Sequence, residues 1–96
     1  MLDKLEKKDF EPLLDETLEI DSGEATHEAR IVDLRNLGRE PEKGRHSFSV
    51  LLRVPKDALY DQQIFTVKSK SLGALDLFLV PVGPDEEGML YEAIFA

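Results

Sequence analysis

Apolar and polar residues alternate with a period of two along most of the chain, from Thr17 to Phe95. Successive side chains of a β-strand point to opposite faces of a sheet, so this alternation predicts strands with one buried face. Six strands are predicted, at Thr17–Asp21, Ala25–Leu37, Arg45–Val54, Gln63–Ser69, Ala74–Val82 and Met89–Phe95. The short turns between them favour antiparallel pairing.

Local irregularities refine this pattern. In the third strand, the residues expected to face inward are Phe48, Val50, Leu52 and Val54, and those expected to face outward are Ser47, Ser49, Leu51 and Arg53. In the second strand the apolar residues change face around Val32, which predicts a β-bulge or a strong coiling of the strand there. The polar segment 38–44, bounded by glycines, is predicted to be a loop, and 84–88 a hairpin turn in which Gly88 adopts a positive φ.

The first sixteen residues are the helical part of the chain. A short helix is expected at 2–8 and a separate helical turn at Phe10–Leu14, with Asp9 as its N-cap and Pro12 in its first turn. The chain is therefore divided into a helical segment, 1–16, that packs on the barrel, and a single β domain, 17–96.

The last two strands are apolar on both faces, apart from Asp76. This is typical of strands that are covered on both sides or lie at a subunit contact. A small sheet with two apolar faces curls up to cover one of them. The predicted fold is all-β: a six-stranded antiparallel small barrel or a two-layer sandwich with a short N-terminal helix.

The formal net charge of −8 argues against a nucleic-acid partner, because neutralisation of phosphates supplies most of that affinity. The charge is unevenly distributed: residues 30–56 carry seven basic and three acidic groups, whereas 1–29 carry three and ten. The basic middle segment is expected to pair internally across neighbouring strands. The alternative is a patch for an acidic partner.

The chain has no cysteine, which excludes disulfides, thiolate metal sites and cysteine nucleophiles. The N-terminus has no apolar run of signal-peptide length, and no segment approaches the ~20 apolar residues of a membrane span. We therefore expect a cytoplasmic protein without membrane contact.

Few residues suggest chemistry. His27 and His46 are expected on neighbouring strands, and Glu24 or Glu28 would have to complete a metal site, but the spacing matches no ligand motif. Ser47 follows His46, yet adjacent strand residues point to opposite faces, and Ser49 lies in no nucleophile elbow. We predict no catalytic and no metal-binding residue.

Acidic and aromatic residues also have structural explanations. Asp76 is expected at an outward position, paired with Lys68, Lys70 or an arginine, and the acidic run 85–87 lacks the spacing of a calcium loop. Gly73 and Gly83 stand alone, so no phosphate-binding loop or cofactor is predicted. The aromatic residues assigned to the core are Phe48, Phe65, Phe78, Tyr91 and Phe95.

Three segments carry a family resemblance: FEPLL at Phe10–Leu14, FSVLLRVP at Phe48–Pro55 and SLGALDLFLVPVGPDEEGMLYEAIFA at Ser71–Ala96. Together they resemble a family of small bacterial domains of unknown function, with Val54 where that family usually has glycine. The family has no assigned activity. The resemblance implies a fold and, through gene neighbourhoods of the phage-tail-collar type, an assembly accessory.

Three functions remain as hypotheses. The first is a protein-interaction or assembly module, with a protein partner or a second copy bound by the apolar C-terminal strands. The second is a β-barrel that binds a small apolar ligand, and it requires an enclosed cavity. The third and least supported is an enzyme that uses carboxylates with His27 or His46. The sequence favours the first, and we expect no enzyme.

Overall fold

The computed structural model describes residues 6–36 and 47–95, which form a closed barrel of six antiparallel strands. The strands are β1 (Leu18–Asp21), β2 (Thr26–Asn36), β3 (Phe48–Val54), β4 (Gln63–Ser69), β5 (Gly73–Pro84) and β6 (Met89–Phe95). Their order around the barrel is β1-β2-β3-β6-β5-β4, which closes through the pairing of β4 with β1. The barrel prediction is confirmed, and the alternative sandwich is wrong.

The alternation in the sequence sets the inner face of each strand. All four inward positions predicted for β3 are buried, and the predicted bulge in β2 occurs between Ile31 and Asp33. Ser49 was expected to be an ordinary outward residue, but it is only 1% exposed. Its neighbours in register, Arg35 and Ile94, have longer side chains that flank it.

The N-terminal segment closes one end of the barrel, which we call the plugged end. Helix α1 (Lys7–Phe10) leads into a 3₁₀ turn, Glu11–Asp15, that carries its proline in the first turn as predicted. Phe10 is 2% exposed, and its ring centroid lies 5.8 Å from that of Phe48 and 5.3 Å from that of Phe95. These apolar contacts join the segment to the strand core.

The predicted N-cap of the second helical turn is wrong, because the 3₁₀ turn Glu11–Asp15 has Phe10 as its N-cap. Asp9 lies inside α1, whose own N-cap is Glu6, and its carboxylate accepts a hydrogen bond of 2.8 Å from the Glu6 backbone N–H. An acidic side chain at this position satisfies a free donor of the first turn, so Asp9 stabilises the start without being the cap. Of the predicted helix 2–8, residues 2–5 lie outside the described residues, and α1 begins at Lys7.

The opposite end, which we call the bridged end, is crossed by the connection 55–62. This connection leads from β3 to β4, which occupy opposite sides of the ring. Ala58, in its middle, is 1% exposed. The Tyr91 hydroxyl donates a 2.8 Å hydrogen bond to the Ala58 carbonyl and accepts one of 2.8 Å from the Tyr60 backbone N–H. An inward side chain of β6 therefore holds this connection, which we call the bridge, in place.

The turn between β5 and β6 is a hairpin as predicted, but Gly88 does not have a positive φ. Glycine is needed at this position because two backbones approach each other closely there. A Cβ atom at Gly88 would collide with the carbonyl oxygen of Val54 and lie 2.9 Å from the Cγ of Arg53. The predicted loop 38–44, with Leu37, Arg45 and His46, lies outside the described residues.

Candidate interaction surface

Two large apolar side chains lie side by side on the outside of the barrel. Ile64 on β4 and Phe78 on β5 are directly opposite each other in the ladder, and they are 64% and 53% exposed. The core assignment of Phe78 was wrong, because Leu77 and Leu79 fill the inward positions and strand geometry turns Phe78 outward. The other aromatic residues assigned to the core are buried, or partly buried in the case of Phe95.

A polar pair lies next to these two residues on the same face. Thr66 and Asp76 are also directly opposite, and the Thr66 hydroxyl donates a 2.9 Å hydrogen bond to the Asp76 carboxylate. The outward position of Asp76 is confirmed, but its bonded partner is Thr66 instead of a lysine or arginine. We call the surface formed by Ile64, Phe78, Thr66 and Asp76 the β4–β5 face.

The neighbouring strand continues this face with acidic residues. Asp21 on β1 is in register with Thr66, and Glu19, also on β1, lies between Glu28 on β2 and Lys68 on β4. These positions share the outward side, because the residues that alternate with them are buried or face the barrel interior. Together with Asp76, the outward positions at these registers carry four carboxylates and one ammonium group, that of Lys68.

Other exposed apolar residues are more scattered. Val82 on β5 is 49% exposed and Ile94 on β6 is 62% exposed, so the C-terminal strands do carry apolar side chains on the outside. Ile94 is in register with Ser49 on the sheet formed by β2, β3 and β6. Leu59, which is 66% exposed, lies in the connection at the bridged end. Only Ile64 and Phe78 form a direct cross-strand pair among these residues.

His27 faces into the barrel at the bridged end. It lies opposite the buried Ile20, and its Nε2 is 2.7 Å from the hydroxyl oxygen of Tyr60. Glu24 lies in the exposed β1–β2 turn and Glu28 points outward, so neither joins His27 on the inner face. No group of three metal-ligating side chains occurs within residues 6–36 and 47–95. His46 lies outside the described residues.

The basic middle segment forms internal ion pairs where the structure describes it. The guanidinium of Arg53 lies 2.6 Å from the Asp85 carboxylate and 3.3 Å from that of Glu87, and Arg35 lies 2.8 Å from Asp33. The hydrogen bond from Arg53, together with backbone donors of the turn, holds the pKa of Asp85 below its ordinary value. Internal pairing was expected across neighbouring strands, but Arg35 pairs within its own strand, and Arg53 on β3 pairs with the turn that joins β5 to β6.

The acidic run 85–87 therefore stabilises a turn. The other oxygen of Asp85 accepts hydrogen bonds from the backbone N–H groups of Glu87 and Gly88, at 2.9 and 2.8 Å. Of the other basic residues of the middle segment, Arg30 and Lys56 are exposed, and Arg30 donates a 3.3 Å hydrogen bond to the Thr17 hydroxyl, whereas Arg39, Lys43 and Arg45 lie outside the described residues.

Two groups that matter in the structure were missed by sequence reasoning. Ile64 was detectable, because an inward Phe65 and Val67 place Ile64 on the polar face of its strand. Tyr60 lies in a connection without periodicity, so its contacts with His27 and Tyr91 follow only from the path of the chain.

Comparison with known proteins identifies a family but no described relative. No curated protein and no solved structure gives a significant match. The described residues contain no helix with the length and apolar character needed to cross a membrane. The family model described as "Domain of unknown function (DUF6916)" matches residues 5–95, and because this match covers nearly the whole chain, the chain belongs to that family.

Proposed function

We propose that this domain is a protein-interaction module, an accessory of a larger assembly, that binds its partner through the β4–β5 face. The observation that supports this most directly is the exposed cross-strand pair of Ile64 and Phe78. Side chains of this size are normally buried, and removing their exposed area from water contributes about 25 cal/mol per Å² towards a complex, against which the entropic cost of association is set. The assembly role is also implied by the resemblance to a family whose members are encoded near phage-tail-type genes.

The closed barrel limits how a partner can bind. Each of the six strands is hydrogen-bonded to two neighbours. Closure of a sheet into a barrel removes its free edges, and recognition by addition of a strand needs a free edge. The partner is therefore expected to contact side chains on the outer face.

The interior is less suited to the alternative role in ligand binding. Phe48, Phe65 and Leu77 are all buried in one apolar cluster, and side chains close both ends of the barrel. A small-molecule site needs a concave space of a few hundred Å³. In this barrel the interior positions are occupied by the protein's own side chains.

The proposal is tested by replacing the apolar pair without disturbing the strands. In the variant Ile64→Thr/Phe78→Thr, threonine keeps a β-branched strand former at one position and removes exposed apolar area at both. The matched control is Ile94→Thr, which changes an equally exposed side chain on the other sheet. Circular dichroism and thermal unfolding would first show that both variants fold.

Binding is then measured with an identified partner. Proteins retained from the native lysate by the immobilised domain are identified by mass spectrometry, purified and titrated against each variant. We expect the double variant to lose at least about tenfold in affinity, as hot-spot residues do, and the control less than about twofold. A partner that binds all three proteins equally would refute the role of this face. A dimer of the domain that only the double variant disrupts would instead show that a second copy, and not another protein, occupies the face.

A further inference from the structure

From the charges around the apolar pair we infer that the partner of the β4–β5 face is a basic protein segment, with apolar side chains flanked by lysine or arginine. This inference rests on the proposed function, since it specifies the chemistry of what docks there. It adds an electrostatic requirement that the apolar pair alone does not impose.

The acidic groups lie next to the apolar pair in strand register. Asp76 precedes Phe78 by two residues on the same side of β5, which places the two positions about 7 Å apart along the strand. Asp21 is in register with Thr66, the residue opposite Asp76. A segment that covers Ile64 and Phe78 would therefore come within range of both carboxylates.

These carboxylates have spare capacity for a cationic partner. Each side chain already accepts one short-range hydrogen bond, Asp76 from the Thr66 hydroxyl and Asp21 from the Gly23 backbone N–H at 2.8 Å. Neither takes part in an ion pair within the part of the chain that the structure describes. An ionised carboxylate offers about four acceptor sites, so each can bind an arriving ammonium or guanidinium group.

The same charges disfavour a second copy of this chain. With a net charge of −8, two copies repel each other, and a face-to-face dimer would bring Asp76 and Asp21 of one copy towards those of the other. Three rows of outward residues cross this surface, and they contain Ile64, Thr66 and Lys68 on β4. Lys68 is the single basic residue in these rows.

Electrostatic complementarity of this kind acts on association rate and specificity, and it weakens as salt is added. A basic apolar segment therefore differs measurably from a neutral or acidic one of equal apolar content. This difference can be tested with synthetic probes.

The probes are two fluorescein-labelled peptides, Lys-Leu-Lys-Phe-Lys-Val-Lys and the same peptide with glutamate at each lysine position. They are titrated by fluorescence anisotropy against the intact chain and three variants: Ile64→Thr/Phe78→Thr, Asp21→Asn/Asp76→Asn and the charge-matched control Glu11→Gln/Glu86→Gln. Asparagine keeps an acceptor oxygen for the bonds from Gly23 and Thr66. The control removes the same charge from exposed sites away from the β4–β5 face.

We expect the lysine peptide to bind the intact chain at least about tenfold more tightly than the glutamate peptide, and less tightly as salt rises. Its affinity should fall at least about fivefold in Asp21→Asn/Asp76→Asn and less than about twofold in the control. Equal loss in these two variants would overturn the inference, since net charge alone would then explain binding. If both peptides bind equally and only Ile64→Thr/Phe78→Thr abolishes binding, the charge inference fails and the proposed function stands. If the apolar variant changes nothing, both fail.

Discussion

The hydroxyl group of Tyr91, on β6, lies 2.8 Å from the carbonyl oxygen of Ala58, in the middle of the connection that crosses the barrel end. The same hydroxyl accepts a hydrogen bond from the backbone N–H of Tyr60, and the side chain is fully buried. One side chain thus forms hydrogen bonds with two backbone groups that take no part in strand pairing. The bridge also presents Tyr60 to His27, so this contact organises the whole end of the barrel.

Replacing Tyr91 by phenylalanine should destabilise the fold by about 1–3 kcal/mol, because it leaves the buried Ala58 carbonyl and the Tyr60 N–H without their partner. The measurement is urea unfolding, in which the midpoint falls while the slope is unchanged. Tyr60→Phe is the control. It removes a half-buried hydroxyl, and we expect it to cost less; an equal loss would contradict the special role of Tyr91.

The same group predicts the response to alkaline pH. Burial raises the pKa of Tyr91 above its ordinary value of 10.0, so in the folded state it holds its proton where the unfolded chain releases it. The folded state then binds more protons than the unfolded state above about pH 10, and its stability falls as pH rises through that range. Unfolding measured between neutral and strongly alkaline pH should show this fall, and Tyr91→Phe should lack part of it.

The ion pair of Arg53 and Asp85 predicts a response to acid. The pKa of Asp85 is lowered by its hydrogen bond from Arg53, so this group stabilises the fold above the unfolded value of 3.8 and the contribution is lost as pH falls below it. We expect Asp85→Asn to unfold with a weaker pH dependence in this acidic range. Unchanged acid sensitivity in the variant would show that other carboxylates dominate.

Gly88 tests the close approach at the β5–β6 turn. Alanine there would push a Cβ atom into the Val54 carbonyl, and overpacking of this kind typically costs about 1–3 kcal/mol. Glu86→Ala, at an exposed position of the same turn, should stay within about 0.5 kcal/mol of the parent. Thermal unfolding compares the two, and a Gly88→Ala protein as stable as the control would show that the strands adjust without cost.

Phe10 tests the closure of the plugged end. Truncation to alanine should cost about 3–5 kcal/mol, the usual range for a buried phenylalanine, because Phe48 and Phe95 lose their aromatic neighbour. Leu14, four residues later and 38% exposed, provides the control, and Leu14→Ala should cost much less. Equal effects in denaturant unfolding would mean that the segment does not complete the core.

β3 and β5 differ in how well their inward residues were predicted from the sequence. In β3, strict alternation was enough to assign the inward residues, and the bulge in β2 was visible as a change of face at Val32. In β5 the residues on both faces are apolar apart from Asp76, and Phe78, two residues after Asp76, lies on the same outward face; the core assignment of Phe78 followed its apolar character and not this alternation. Which face is enclosed is fixed when all six strands close into a barrel.

The sequence by itself determined the strands, most of their inward residues, the hairpin turn at 84–88 and the family, because these follow from local periodicity, turn chemistry and motif. The tertiary structure alone decided which strands are neighbours, that β3 and β4 lie on opposite sides of the ring, and that the bridge is held by Tyr91. It also decided the candidate interaction surface. Ile64 and Phe78 are far apart in the sequence, and only the β4–β5 register places them side by side among the acidic residues.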